Sequence, residues 1–193
     1  MQLRPYQQDA VDSAVSWMKK CKSPAVLELA TGAGKSWIAA AIAKWFIENA
    51  QKKVLILQPS LELTEQNYSK WIATGEKASI FSASANSKCT RYDVIYGTPK
   101  TVLNSIERFG DKFGLIIIDE CHQITPTIKE IISKIKSKNE RLRVIGMTAT
   151  PYRMNTGYIY HQNLVTNKAL AEEEAINPYF AALLYSIKTR ELI

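Results

Sequence analysis

Hydrophobic positions along the chain change period repeatedly. Ala10, Val11, Ala14, Val15 and Met18 recur at helical spacing, so residues 6–19 read as an amphipathic helix. Pro24 precedes a short apolar run, Ala25–Leu29, and a glycine-containing turn, Thr31–Gly34, leads into Lys35–Asn49. That segment is apolar on most sides and reads as a buried helix. Val54–Leu57 is the next strand, followed by a turn at Pro59-Ser60 and a helix from Leu61 to Trp71. Ser79–Phe81 and Val94–Tyr96 read as short strands, and Pro99–Phe109 as a helix. Leu115–Ile118 is an apolar strand that ends in Asp119. Ile128, Ile131, Ile132 and Ile135 make Ile124–Lys136 helical, and Arg143–Met147 is a further strand.

Strands that are apolar throughout and alternate with helices predict a parallel sheet covered on both faces. The expected fold is therefore α/β, a doubly wound domain. The tail after Pro151 has another character. Tyr152–Tyr160 is aromatic and irregular, Ala169–Ile176 looks helical, and Pro178 starts a last amphipathic stretch. The organisation expected is a main domain over 1–160 and a C-terminal helical extension over 161–193.

Composition narrows the class. The 193 residues are 46% hydrophobic and 22% charged, which excludes intrinsic disorder, collagen-like sequence and a disulfide scaffold. Lys and Arg number 25 against 18 Asp and Glu, a formal charge of +7. Such an excess fits either an anionic partner or a solvated basic surface. The three cysteines form no Cys-x-x-Cys pair, and neither His122 nor His161 completes a metal-ligand set. A reduced, cytoplasmic protein is expected. MQLRPYQQDA has no apolar signal region, and Leu115–Ile118 is far shorter than the ~20 residues of a membrane span.

The chemistry concentrates at two places. Ala30-Thr31-Gly32-Ala33-Gly34-Lys35-Ser36 lies between an expected strand and an expected helix, the context a phosphate-binding loop requires. Small residues let backbone N–H groups turn inward, and the helix N-terminus adds positive partial charge. Lys35 can reach β- and γ-phosphates, and the Ser36 hydroxyl can coordinate Mg²⁺. Leu29 stands where the strict loop pattern has its first glycine. Leu115-Ile116-Ile117-Ile118-Asp119-Glu120 is the second place: a buried strand delivers two carboxylates at its C-terminal end, where open α/β sheets bind ligands. Asp119 suits Mg²⁺, and Glu120 can accept a proton from an attacking water.

Asp119-Glu120-Cys121-His122 is a DExH box, and with it the chain resembles the first RecA-like motor domain of superfamily 2 helicases. Leu3-Arg4-Pro5-Tyr6-Gln7 resembles the adenine-reading Q motif, Gln58-Pro59-Ser60 motif Ia, Gly97-Thr98-Pro99-Lys100 motif Ib, and Thr148-Ala149-Thr150 motif III. The resemblance covers residues 3 to about 153. Arg-Pro-Tyr-Gln-Gln, Asp-Glu-Cys-His and Thr-Ala-Thr-Pro-Tyr-Arg together look most like the RadD and XPB-like branch, and restriction-enzyme motor subunits share most of these motifs.

The resemblance implies an adenine contact by Gln7 and loop contacts to nucleotide by Thr31, Gly32, Ala33, Gly34, Lys35 and Ser36. Arg4 would either assist at the base or lie exposed. It implies nucleic-acid contacts, with DNA first and RNA as the other substrate, through Pro59, Ser60, Thr98 and Lys100. Ser60 and Thr98 also suit plain helix N-caps. His122, Thr148 and Thr150 would couple nucleotide state to movement. Trp37, Trp45 and Trp71 read as packing residues, Lys134–Lys138 as a solvated helix face, and Cys121 as a small buried residue. Such motors hold ATP between two RecA-like domains, and the about 40 residues after Pro151 are too few for a second one. The chain is thus expected to be an ATP- and Mg²⁺-using helicase motor domain that hydrolyses poorly alone. A nucleotide- and nucleic-acid-binding module without useful turnover is the alternative. Repair and restriction systems both use such motors.

Overall fold

In the computed structural model, residues 2–192 are described, so the first and last residues of the expected 1–160 and 161–193 segments lie outside them. Helix α1 (Pro5–Lys20) is followed by β1 (Ala25–Leu29), α2 (Lys35–Ala50) and β2 (Lys53–Leu57). Then come α3 (Leu61–Ile72), β3 (Ser79–Ser82), β4 (Ser87–Lys88) and β5 (Val94–Gly97). The chain continues through α4 (Pro99–Leu103), β6 (Phe113–Asp119), α5 (Pro126–Lys136) and β7 (Arg143–Thr148). Short strands β8 (Tyr152–Arg153), β9 (Gly157–Tyr158), β10 (Tyr160–Asn163) and β11 (Lys168–Ala169) precede β12 (Phe180–Ile187). The residues group into two compact units, one of 43–119 with 124–142, the other of 2–42, 120–123 and 143 onward.

In the first unit the strands run β6–β2–β5–β3–β4. β2 pairs in parallel with β5 and β6, β3 pairs in parallel with β5, and β4 is antiparallel to β3. Every residue of β6 is buried, as expected of a strand covered on both faces. Phe81, Phe109 and Phe113 are buried together, with ring centroids 4.9 and 5.0 Å apart. Helix α5 starts at Thr125, whose side chain accepts a hydrogen bond from Ile128 N, with Pro126 in the first turn. Its four isoleucines form the buried face. The helix expected over Pro99–Phe109 stops at Leu103, and Ile106–Arg108 is a separate 3₁₀ turn. Asn104 and Ser105 intervene; such side chains compete for backbone groups, and Ser105 leaves the helical region at φ −134°, ψ 35°.

In the second unit the strands run β11–β10–β12–β1–β7. β1 lies between β12 and β7, parallel to both, and β10 is parallel to β12. Helix α1 packs on β12 and β1 through Ala10, Val11, Ala14 and Met18. Arg143 at the start of β7 donates to the Met18 carbonyl at 2.9 Å, joining the end of α1 to the sheet. Tyr158 stacks between Tyr152 and Tyr160, each at 5.3 Å, and burial pushes the Tyr160 hydroxyl up to about 12.

The tail corrects two expectations. The Ala169–Ile176 helix does not form. Glu174 instead accepts from Ala171 N and Lys168 Nζ, closing a single turn, and Asn177 (φ 47°) before Pro178 prevents its continuation. Nor is 161–193 a helical extension, because its long element is a strand. The run from Phe180 to Ile187 is almost continuously apolar, and β12 is inserted between β1 and β10 of the sheet itself. A segment so placed is buried by strands on both edges, which an isolated amphipathic helix would not need. Among the described residues no helix is long and apolar enough to cross a membrane.

Candidate active site

The phosphate loop is built by the strand before it and the helix after it. Leu29, in place of the first loop glycine, is fully buried as the last residue of β1, and Ala30 N then donates to Ile187 O of β12 at 3.0 Å. The chain turns through Gly32 (φ 87°) and Gly34 (φ 80°), left-handed values that favour glycine. A Cβ on Gly32 would meet nothing within 4 Å, so the loop is open there, whereas one on Gly34 would lie 2.4 Å from Gln7 Nε2. Helix α2 begins at Lys35, and its first N–H groups are the donors that an anion would meet.

Gln7 is 7% exposed and fastens α1 to this loop. Its Oε1 accepts from Arg4 N, and its Nε2 donates to Ala33 O, both at 2.9 Å. The residue expected to read adenine is therefore also a brace for the loop. Arg4 is exposed.

The DExH residues follow directly on β6. Asp119 closes the strand and is 8% exposed. Glu120 is left-handed at φ 49°, a conformation that costs a residue with a Cβ roughly 1–2 kcal/mol. The conformation turns the chain into the one-turn helix Cys121–Gln123, closed by Gln123 N donating to Glu120 O at 3.1 Å. Cys121 is buried against β7, as expected of a small packing residue. Gly146 on β7 makes this approach possible, because a Cβ there would sit 2.6 Å from Cys121 Sγ and 2.7 Å from Phe180 Cζ.

The carboxylate of Glu120 meets Lys35 and His122. Lys35 Nζ donates to Oε1 at 2.6 Å, and His122 Nδ1 lies 3.3 Å from Oε2. The Lys35 and Glu120 side chains are 18% and 30% exposed, so the pair is only partly shielded by protein. His122 Nδ1 is also 2.8 Å from Thr148 Oγ1, and that hydroxyl accepts from Thr150 N at 3.1 Å. Thr148 is fully buried. The structure thus brings Gln7, Ala33, Lys35, Glu120, His122, Thr148 and Thr150 into one connected set. It adds Arg153, whose Nε donates to the His122 carbonyl. Gly146 escaped the sequence reading, and Arg153 entered it only as the last residue of a motif, without a role. A glycine inside the apolar run Arg143–Met147 was the visible signal for one; a bond to a backbone carbonyl leaves no mark for the other.

The nucleic-acid candidates lie in the first unit. Pro59 and Ser60 follow β2, while Thr98 and Lys100 follow β5; these strands are adjacent and parallel, so all four residues occupy one sheet edge. Ser60 is an N-cap whose hydroxyl accepts from Leu63 N at 3.3 Å. Thr98 is not a cap by its side chain, and bonds Ser82 Oγ at 3.2 Å and Thr101 Oγ1 at 3.1 Å. Lys100, Pro59 and Ser60 are exposed. Beside them Gln58 is 2% exposed, and its Oε1 has no hydrogen-bond partner.

A parallel strand, a glycine loop opening a helix, and a loop lysine paired with a carboxylate after another strand define a P-loop NTPase of the RecA-like motor class. The family model described as type III restriction enzyme, res subunit, matches residues 1–153. The chain belongs to that family, as the first RecA-like domain of a superfamily 2 helicase. The ATP-dependent DNA helicase uvsW of Enterobacteria phage T4 is 31% identical over 156 residues, covering 75% of this chain and 29% of the phage protein. A putative ATP-dependent RNA helicase, QP509L of African swine fever virus (strain Badajoz 1971 Vero-adapted), is 32% identical over 158 residues, covering 76% and 28%. A crystal structure of the T4 UvsW helicase superposes with a TM-score of 0.66 at 24% identity, covering 96% of this chain and 60% of that one, and shows the shared fold. The chain spans about three tenths of the length of these curated relatives.

Proposed function

We propose that this chain is the ATP-hydrolysing half of a motor that moves on nucleic acid, DNA by preference, with a second RecA-like domain completing the nucleotide site. The observation that carries the reading is the 2.6 Å pairing of the phosphate-loop Lys35 with Glu120, whose other oxygen faces His122. Loop N–H groups and Lys35 would bind the triphosphate, with Thr31, Gly32, Ala33, Gly34 and Ser36 lining it. Phosphate oxygens compete with Glu120 for the Lys35 ammonium, and a Glu120 carboxylate released from it is the base that takes a proton from the attacking water. The His122–Thr148–Thr150 chain would report that change to β7.

The hydroxyl of Ser36 and the carboxylate of Asp119 are hard oxygen donors, the chemistry that suits Mg²⁺. When bound, the ion would neutralise charge on the phosphates. Pro59, Ser60, Thr98 and Lys100 would hold the nucleic-acid backbone without reading sequence. The T4 relative is named a DNA helicase and the swine fever virus relative an RNA helicase, so both polymers belong in the assay.

The test is hydrolysis with and without single- and double-stranded DNA or RNA. Lys35→Ala is expected to abolish nucleotide binding. Glu120→Gln is expected to keep binding and to lower turnover at least ~100-fold, the scale of a lost catalytic proton acceptor. Turnover indifferent to Glu120→Gln would overturn the reading. Nucleotide binding without turnover in any combination, with the second RecA-like domain present, would make the chain a binding module instead.

A further inference from the structure

We propose that Arg153 is a positioning residue for the reaction, holding the turn that presents Glu120 by its hydrogen bond to the His122 carbonyl; this rests on the reading of Glu120 as the base. Glu120 occupies a left-handed conformation that its own side chain does not favour, so its neighbours must hold it there. One restraint is the packing of Cys121 on Gly146 and Phe180. Another is the bond between His122 Nδ1 and Thr148 Oγ1. Both act on side chains. Arg153 acts on the backbone, two residues beyond Glu120, where a one-turn helix leaves carbonyls without partners inside the turn. A guanidinium donor makes that bond charge-assisted.

Arg153 is itself braced. It lies on β8, paired antiparallel with β9, and Tyr152 packs against Tyr158 across the hairpin. Gly157, its partner in register, is held against the tail: Tyr158 N donates to Glu174 O at 2.8 Å, and a Cβ on Gly157 would lie 2.0 Å from that same oxygen. Ile159 N donates to Pro151 O at 3.1 Å, fixing the start of the hairpin. A continuous path therefore runs from the tail turn, through the hairpin, to the backbone of the DExH turn. The hairpin's tip carries Met154, which is 93% exposed.

The test compares Arg153→Ala and Arg153→Lys with the unsubstituted 193-residue chain by two readouts. The first is hydrogen exchange at the Gln123 amide, whose bond to Glu120 O closes the turn. Arg153→Ala is expected to speed it about 10-fold or more, the scale of a lost charge-assisted bond, with the amides of Leu27 and Ile145 unchanged. The second is single-turnover ATP hydrolysis. The maximal rate is expected to fall about 10- to 100-fold in Arg153→Ala with the half-saturating ATP concentration within about threefold, since misplacement of a reacting group costs rate before binding. Arg153→Lys, which keeps a cationic donor, should recover most of both losses. Unchanged Gln123 exchange overturns the proposal, as does an unchanged maximal rate in a chain that hydrolyses. If the unsubstituted chain and Glu120→Gln hydrolyse ATP at the same measurable rate, the reading of Glu120 fails, and the exchange readout alone decides what Arg153 holds.

Discussion

Glu120 shows how much a single position can be asked to do. Its backbone is left-handed, one oxygen pairs with Lys35, and the other faces His122. Lys35, Ser36 and the two glycines are legible in the sequence because a phosphate loop is a local pattern whose neighbours dictate its shape. The DExH carboxylates are legible for the same reason. Gln7 is legible as a motif member, yet its bond to Ala33 O is not, because nothing local encodes a brace across 26 residues. Gly146 illustrates the cost of a missing Cβ being filled. Gly146→Ala is expected to destabilise the fold by about 1–3 kcal/mol through overpacking against Cys121 and Phe180, read from denaturant unfolding. Nucleotide turnover should fall with it, since the same side chains seat the turn.

At the scale of elements, period and composition located most strands and helices because each is buried in the manner its pattern predicts. Helix α5 is an example: a hydroxyl cap, a proline in the first turn and an isoleucine face. The helix after β5 and the tail were misread, and the short strands β4 and β8 to β11 were not foreseen. The helix after β5 broke early at Asn104-Ser105, where side-chain competition outweighed a helical pattern. The tail escaped for a different reason. The run Phe180–Ile187 is compatible with a buried strand or a buried helix, and only pairing with β1 and β10 decides between them. A chain ending at residue 160 would leave the β1 edge without its parallel neighbour. It is expected to lose its cooperative thermal transition and to bind a hydrophobic dye, measured by circular dichroism and fluorescence.

For the molecule as a whole, the charge of +7 was compatible with an anionic partner or with a solvated surface. Lys100 is exposed at the edge shared by Pro59, Ser60 and Thr98, where the proposed reading would let that charge act. If Lys100 neutralises a phosphate, Lys100→Ala should weaken binding to all sequences alike. It should also reduce the slope of log affinity against log salt by about 1, measured by fluorescence anisotropy over a salt series. The chain spans about three tenths of the length of its curated relatives.

The 2.6 Å contact between Lys35 and Glu120 has an effect on affinity as well as on chemistry. A carboxylate tethered beside the ammonium is present at a high effective concentration, and no dilution removes it. On the proposed reading, a nucleotide would have to displace it before its phosphates were fully held. Glu120→Gln, which abolishes that rival charge, should therefore bind nucleotide more tightly than the natural chain even as it stops hydrolysing. On the reading of Glu120 as the base, the protein would carry its own competitive inhibitor, and that inhibitor would be the group the reaction needs.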